Sequence, residues 1–181
     1  DKDGDGTGEP VLEHKKPKVG MAYPLATPFD SDEFNDPTLG LQWQWHGNSE
    51  ARWAFPNPSG GALRMFSVQN PEGYKNLWDL PNLLLQKFPA EDFTATAKVR
   101  VVPRFDGERF GLVVMGLDYS LVGVSRREGK LYISQATAKD ADKGTSEVES
   151  ALRPLVSADL YLRVRVGKNA MCNFSFSLDG K

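Results

Sequence analysis

Along the second half of the chain, apolar and polar positions alternate with a period of two. Phe93, Ala95, Ala97, Val99 and Val101 are separated by Thr94, Thr96, Lys98 and Arg100, the pattern of a strand with one buried face. Leu160, Leu162, Val164 and Val166 alternate in the same way with Tyr161, Arg163 and Arg165, and Phe174, Phe176 and Leu178 alternate with serines. Phe110 to Met115 is almost wholly apolar, as in a strand buried on both faces. Tyr119–Ser125 and Lys130–Ala136 flank Arg126-Arg127-Glu128-Gly129, which predicts a hairpin with Gly129 at positive φ. Leu63 to Val68 is a further strand candidate, and no window carries a capped helical period. Short strands divided by Gly, Pro and Asp predict an all-β, two-sheet antiparallel sandwich over residues 30–181. Its expected core contains Val99, Val101, Leu112, Val114, Leu162, Val164, Phe174 and Phe176.

The first 29 residues show no such period. Pro10, Pro17, Pro24 and Pro28 punctuate a polar stretch whose apolar pair Val11-Leu12 precedes HKKPK. This predicts an extended N-terminal linker arm over residues 1–29, lying on another surface. At the other end FSFSLDGK runs a strand into Asp179-Gly180, a hairpin-turn signal. An open hairpin leaves an unpaired edge, so the sandwich is expected to lack its last strand or strands. Residues 71–82 (PEGYKNLWDLPN) and 137–146 (TAKDADKGTS) are the longer loops, where function tends to sit.

The run LGLQWQWHGN, residues 39–48, places Leu39, Leu41, Trp43 and Trp45 in one alternation and Gly40, Gln42, Gln44 and His46 in the other. A continuous apolar stripe is expected to be buried in the core or at a domain interface. Should sugar touch this strand, Gln42 and Gln44 are the groups placed to do it.

Composition narrows the chemistry. With 181 residues, 40% hydrophobic and 25% charged, the chain suits one globular domain with a real core. A formal net charge of −2 offers a polyanion nothing, which excludes nucleic acid as a favoured partner. No apolar run approaches the roughly 20 residues of a membrane helix. Cys172 is the single cysteine, so no internal disulfide forms, and it reads as a small buried residue. His14 and His46 have no nucleophile signature near them, and no HExxH, CxxC or P-loop occurs.

Asp1, Asp3, Asp5 and Gly6 match half of an EF-hand loop, but Leu12 stands where a bidentate carboxylate is needed. Asp30, Asp32, Glu33 and Asp36 form a second acidic cluster, either a hard-oxygen calcium site near a strand end or a solvated acidic edge. Asp179 joins that set if the first and last strands are neighbours. Trp53, Phe55, Tyr74 and Trp78 lie in turn-rich sequence, where rings can be presented for sugar stacking. Trp78, in the 71–82 loop with Tyr74, is the preferred carbohydrate contact.

Four segments together, PFDSDEFNDPTLGLQWQWHGN, LLLQKFPAEDFTATAKV, RFGLVVMGLDYSLVGVSRREGKLY and LYLRVRVGKNAMCNFSFSLDGK, resemble the C-terminal β-sandwich of family 43 glycoside hydrolases of the β-xylosidase and α-L-arabinofuranosidase type. The resemblance begins near Pro28 and runs to the end, and residues 1–29 look like the end of the preceding catalytic domain plus the linker after it. It implies a concanavalin A-like jelly roll packed against a five-bladed catalytic propeller, with a xylan- or arabinan-derived oligosaccharide as the substrate of the whole and an extracytoplasmic location. It also implies a structural calcium, for which Asp30, Asp32, Glu33 and Asp179 are the candidate ligands. The catalytic carboxylates of that family lie in the propeller, and no motif here matches them, so no catalytic residue is assigned. Three functions follow as alternatives: an accessory domain bracing the propeller and shaping its substrate entrance, an independent carbohydrate-binding module with exposed rings, or a complete enzyme. The last needs two carboxylates facing one another about 5–9.5 Å apart.

Overall fold

The computed structural model describes residues 29–181 continuously, and residues 8, 13, 15, 17–20, 24 and 27 before them. The Asp1–Asp5 motif, His14 and the Val11-Leu12 contact expected of the arm lie outside the described residues. Eleven strands are present among the described residues: β1 (Gln44–Trp45), β2 (Ala54–Asn57), β3 (Ala62–Met65), β4 (Leu84–Leu85), β5 (Phe93–Arg100), β6 (Arg109–Met115), β7 (Tyr119–Arg127), β8 (Lys130–Ala138), β9 (Val148–Pro154), β10 (Asp159–Gly167) and β11 (Met171–Ser177). All their pairings are antiparallel. A four-stranded sheet in the order β6-β7-β8-β9 faces a three-stranded sheet in the order β11-β10-β5, while β1-β4 and β2-β3 form two-stranded ribbons.

Alternation decides which side of each strand is inside. Val122, Val124 and Ile133 of the larger sheet meet Val101, Leu160 and Leu162, on the side of the smaller one, in a single buried cluster, with Val99, Phe110, Leu112 and Phe174 packed around it. Full burial of one such side chain contributes about 1.5–3 kcal/mol. Phe176 departs from the expected core, being 39% exposed. It pairs with Leu162 on the inward side of β11, but β11 is an edge strand. A gap of about 300 Å³ opens there between β11 and the β8–β9 pair.

The β7–β8 hairpin closes with Glu128 at φ 49° and Gly129 at φ 75°, the two positive values that a type I′ turn requires. In β9 the register shifts opposite Ile133–Gln135. Ala151 there takes φ 54°, the left-handed conformation usual for glycine in a bulge.

The LGLQWQW stripe is not one strand. Trp43 N–H donates to the Gly40 carbonyl (3.1 Å) in a turn at 40–43, and only Gln44–Trp45 pair with another strand. The turn breaks the alternation, so Leu41 is wholly exposed while both tryptophans pack. Trp43 stacks on Phe34 (centroids 5.6 Å apart, 29° between planes). Trp45 meets Trp53 edge-on at 5.4 Å. Trp53, expected among the presented loop rings, is instead only 3% exposed. Its Nε1 is buried with no hydrogen-bond partner among the described residues, an omission costing about 1–3 kcal/mol.

Candidate functional site

The outward face of the four-stranded sheet is divided into an apolar half and a polar half. Tyr119, Leu121, Ala136 and Ala138 point outward in the apolar half. They form a second buried cluster with Leu77 and Ala141, joined by Trp78, Leu80 and Leu83 from the loop above. The 71–82 loop is therefore a cap with its own core. Asn76, 1% exposed, locks it down. Its Nδ2 donates to the carbonyls of Ala141 (2.9 Å) and Thr145 (2.8 Å), and its Oδ1 accepts from the Trp78 N–H (2.8 Å). Leu77 N–H donates to the Tyr119 hydroxyl (3.2 Å). The two loops singled out from sequence are thus tied to one another.

Arg109 and Glu147 span the boundary between the halves. They form a bidentate pair, both bonds 2.7 Å, with side chains 32% and 16% exposed. Tyr119 donates to Glu147 (2.9 Å), and burial holds its phenol well above the usual tyrosine range. Tyr74 lies within the field of the same groups. Burial raises its pKa, and Arg109 partly offsets the rise.

The polar half begins at Gly111 and Gly123, which pair across β6 and β7. Next to them Arg109 pairs with Ser125, and Ser125 with Tyr132. Arg127 Nε donates to Ser125 Oγ (3.0 Å), and Arg127 also pairs with Glu149. Ser134 Oγ donates to the same Glu149 oxygen (2.7 Å). The bond from Arg127 holds the Glu149 carboxyl below its ordinary range, and Ser134 and the charge of Arg109 add to this. A depression of about 460 Å³ opens alongside, lined by Asp106, Arg109, Ser125 and Arg127 among others. This polar set escaped the sequence reading, because its partners are 38 and 22 positions apart. Gly111 and Gly123 were the available signal: an isolated glycine inside a strand often marks a close approach to the backbone.

The residues expected from sequence to contact sugar are only partly assembled. Tyr74 and Trp78 both belong to the cap, with Trp78 half-buried and edge-on to His46 at 5.7 Å. His46 Nδ1 donates to the Leu80 carbonyl (2.9 Å), which ties the segment after β1 to the cap. Gln44 is exposed. Gln42 lies in the turn, where its Nε2 donates to Asp32 Oδ2 (3.2 Å).

The residues present do not fit the calcium set proposed from sequence. Asp32 Oδ2 also accepts from Trp43 Nε1 (2.7 Å), and Oδ1 accepts from Phe34 N–H (2.7 Å). This carboxylate therefore serves as a clamp for the turn. Asp30 and Glu33 are exposed, and Asp179 Oδ1 accepts from Lys181 N–H (3.1 Å) in the closing turn. No three acidic, histidine or cysteine side chains converge to hold a metal among the described residues. No helix among them is long and apolar enough to cross a membrane.

Residues 31–181 match the family model of the β-xylosidase C-terminal concanavalin A-like domain. The chain belongs to this family. Among curated proteins, the chain is 29% identical over 201 residues to a β-xylosidase of Formosa agariphila, an alignment that covers 100% of the chain and 32% of that enzyme. It is 28% identical over 113 residues to a non-reducing end α-L-arabinofuranosidase of Bacteroides ovatus, covering 60% of the chain and 21% of that protein. The solved structure "Bacteroides ovatus Xyloglucan PUL GH43B" shares the fold, with a TM-score of 0.60, 17% identity, and coverage of 85% of this chain and 32% of that one. The chain thus spans about a third of the length of the relatives matched most fully. Family membership accounts for the all-β sandwich, and the domain has the standing of an accessory C-terminal module.

Proposed function

We propose that this domain serves a glycoside hydrolase that removes xylose or arabinose units from hemicellulose, bracing the catalytic domain and shaping its substrate entrance. The observation that carries this reading is the alignment of the whole chain with only 32% of a β-xylosidase. The architecture supports it. The cap is held by buried hydrogen bonds and its own core, as suits a fixed wall beside another domain, and Leu41 stands exposed on a turn clamped by Asp32.

The purified chain is expected to release no p-nitrophenol from aryl β-xyloside or aryl α-arabinofuranoside. A chimera carrying this chain in place of the matched third of the Formosa agariphila β-xylosidase is expected to regain activity that deletion of that third removes. Turnover by the chain alone, abolished by one Asp or Glu substitution within 30–181, would overturn the accessory role. So would a chimera no more active than the deletion.

A further inference from the structure

We propose that the polar half of the outer sheet face, around Arg109, Arg127 and Glu149, is a binding site for a neutral oligosaccharide. It is separate from the aromatic cap. Three features carry the inference. First, both arginines are held in place, Arg109 by a bidentate carboxylate and Arg127 by Ser125 and Glu149, so their remaining N–H directions are fixed. Second, polar valence is left over. Arg109 Nε, Arg127 Nη1 and the second Glu149 oxygen have no protein hydrogen-bond partner among the described residues, although their neighbours on the same groups do. Third, Arg109, Ser125 and Arg127 line a depression of about 460 Å³, a volume within the roughly 300–1,000 Å³ typical of small-molecule sites.

The charge balance selects the ligand. Arg109 with Glu147, Arg127 with Glu149 and Arg126 with Asp106 cancel in three ion pairs. Glu128 also lines the depression, so an anion would meet four carboxylates, and a cation would meet three guanidinium groups. Fixed donors interleaved with fixed acceptors of both signs match the vicinal hydroxyls of a sugar, each both donor and acceptor. Gly111 and Gly123 add no side chain of their own between these groups and the cap, and the Leu121 side chain lies against both. A Cβ on Gly111 would stand 2.6 Å from the Val122 carbonyl oxygen. Tyr132, paired across from Ser125, supplies a ring at the margin.

The inference rests on the proposed hemicellulase role only for the choice of the first probe, xylohexaose. Calorimetric titration of the chain with xylohexaose should show weak binding, with a Kd on the order of 1 mM or below. Arg127→Met and Glu149→Gln should each weaken it about tenfold, with the circular dichroism of the folded domain unchanged. Arabinohexaose and cellohexaose test which neutral sugar is preferred, and binding of either in place of xylohexaose, with the same sensitivity to substitution, supports the site. The inference is overturned if no neutral oligosaccharide binds. It is also overturned if binding survives both substitutions but is lost in Trp78→Ala, or if inorganic phosphate displaces the sugar. An active chimera with no sugar binding here would sink this inference alone, whereas an inactive chimera with sugar bound here would sink only the accessory role.

Discussion

Replacing Asn76 by alanine tests whether the cap is held by its hydrogen bonds or merely by apolar contact. The side chain is 1% exposed and makes three bonds, two as donor and one as acceptor. Each is worth a net ~1 kcal/mol, and a buried group left without a partner costs ~1–3 kcal/mol. The Ala141 carbonyl keeps a second donor, Gly144 N–H at 2.9 Å, so it is not orphaned. Trp78 N–H loses its only bond among the described residues. Together these give a loss of about 3 kcal/mol, or about 6–12 °C in Tm for a domain of this size. Thermal and urea unfolding of wild type and Asn76→Ala measure the total, and amide exchange at Trp78 reports the cap. Asn76→Asp sharpens the test. It keeps the volume and the acceptor for Trp78, but sets carboxylate oxygen against two carbonyl oxygens. Asn76→Asp is therefore expected to be at least as destabilised as Asn76→Ala. An Asn76→Ala protein that melts within about 2 °C of wild type, or an aspartate variant more stable than the alanine one, would refute the reasoning.

Three further outcomes follow from the backbone and the charges. Ala151→Gly relieves a left-handed residue at the β9 bulge, and Glu128→Asn does the same in the β7–β8 turn; each should raise stability by about 0.4–1 kcal/mol, read as a higher denaturation midpoint at constant m-value. Gly123→Ala places a Cβ 2.9 Å from Leu121 Cδ1 and 3.0 Å from the Phe110 carbonyl oxygen, so thermal melts should show a loss of about 1–3 kcal/mol; Gly111→Ala, where the nearest atoms are backbone, should be worse. The folded-state pKa of Glu149 is depressed, so its contribution is present above the unfolded carboxylate pKa and disappears as pH falls through the folded one. Stability of wild type should therefore drop on acidification, and Glu149→Gln should flatten that part of the stability–pH curve.

The sandwich was legible because its strands are long and half-buried. Phe93–Arg100, Leu160–Val166 and the Arg127–Lys130 hairpin follow directly from alternation and turn chemistry. The same rule misled at Leu39–Trp45, where a turn lets two tryptophans pack while Leu41 faces solvent. Alternation assigns a side, but an edge position decides how much cover that side receives, and this is the error at Phe176. The cap was recognisable as a loop with functional weight, yet nothing local showed that Leu77 and Trp78 would roof the outer sheet face. The arginine–carboxylate bridges were invisible for a related reason. Their members sit on different strands, and which of them meet depends on register rather than on spacing.

Strand β7 belongs to two interiors at once, Val122 and Val124 to one and Tyr119 and Leu121 to the other. The four-stranded sheet is therefore a party wall. Opening of the cap would expose only the outer chamber and leave the seven-stranded frame closed, which predicts two tiers of amide protection. Related domains are then free to replace or lengthen the cap without redesigning the frame, provided the outward residues of β7 and β8 change with it. The outer chamber can diverge in sequence while the architecture next door stays fixed.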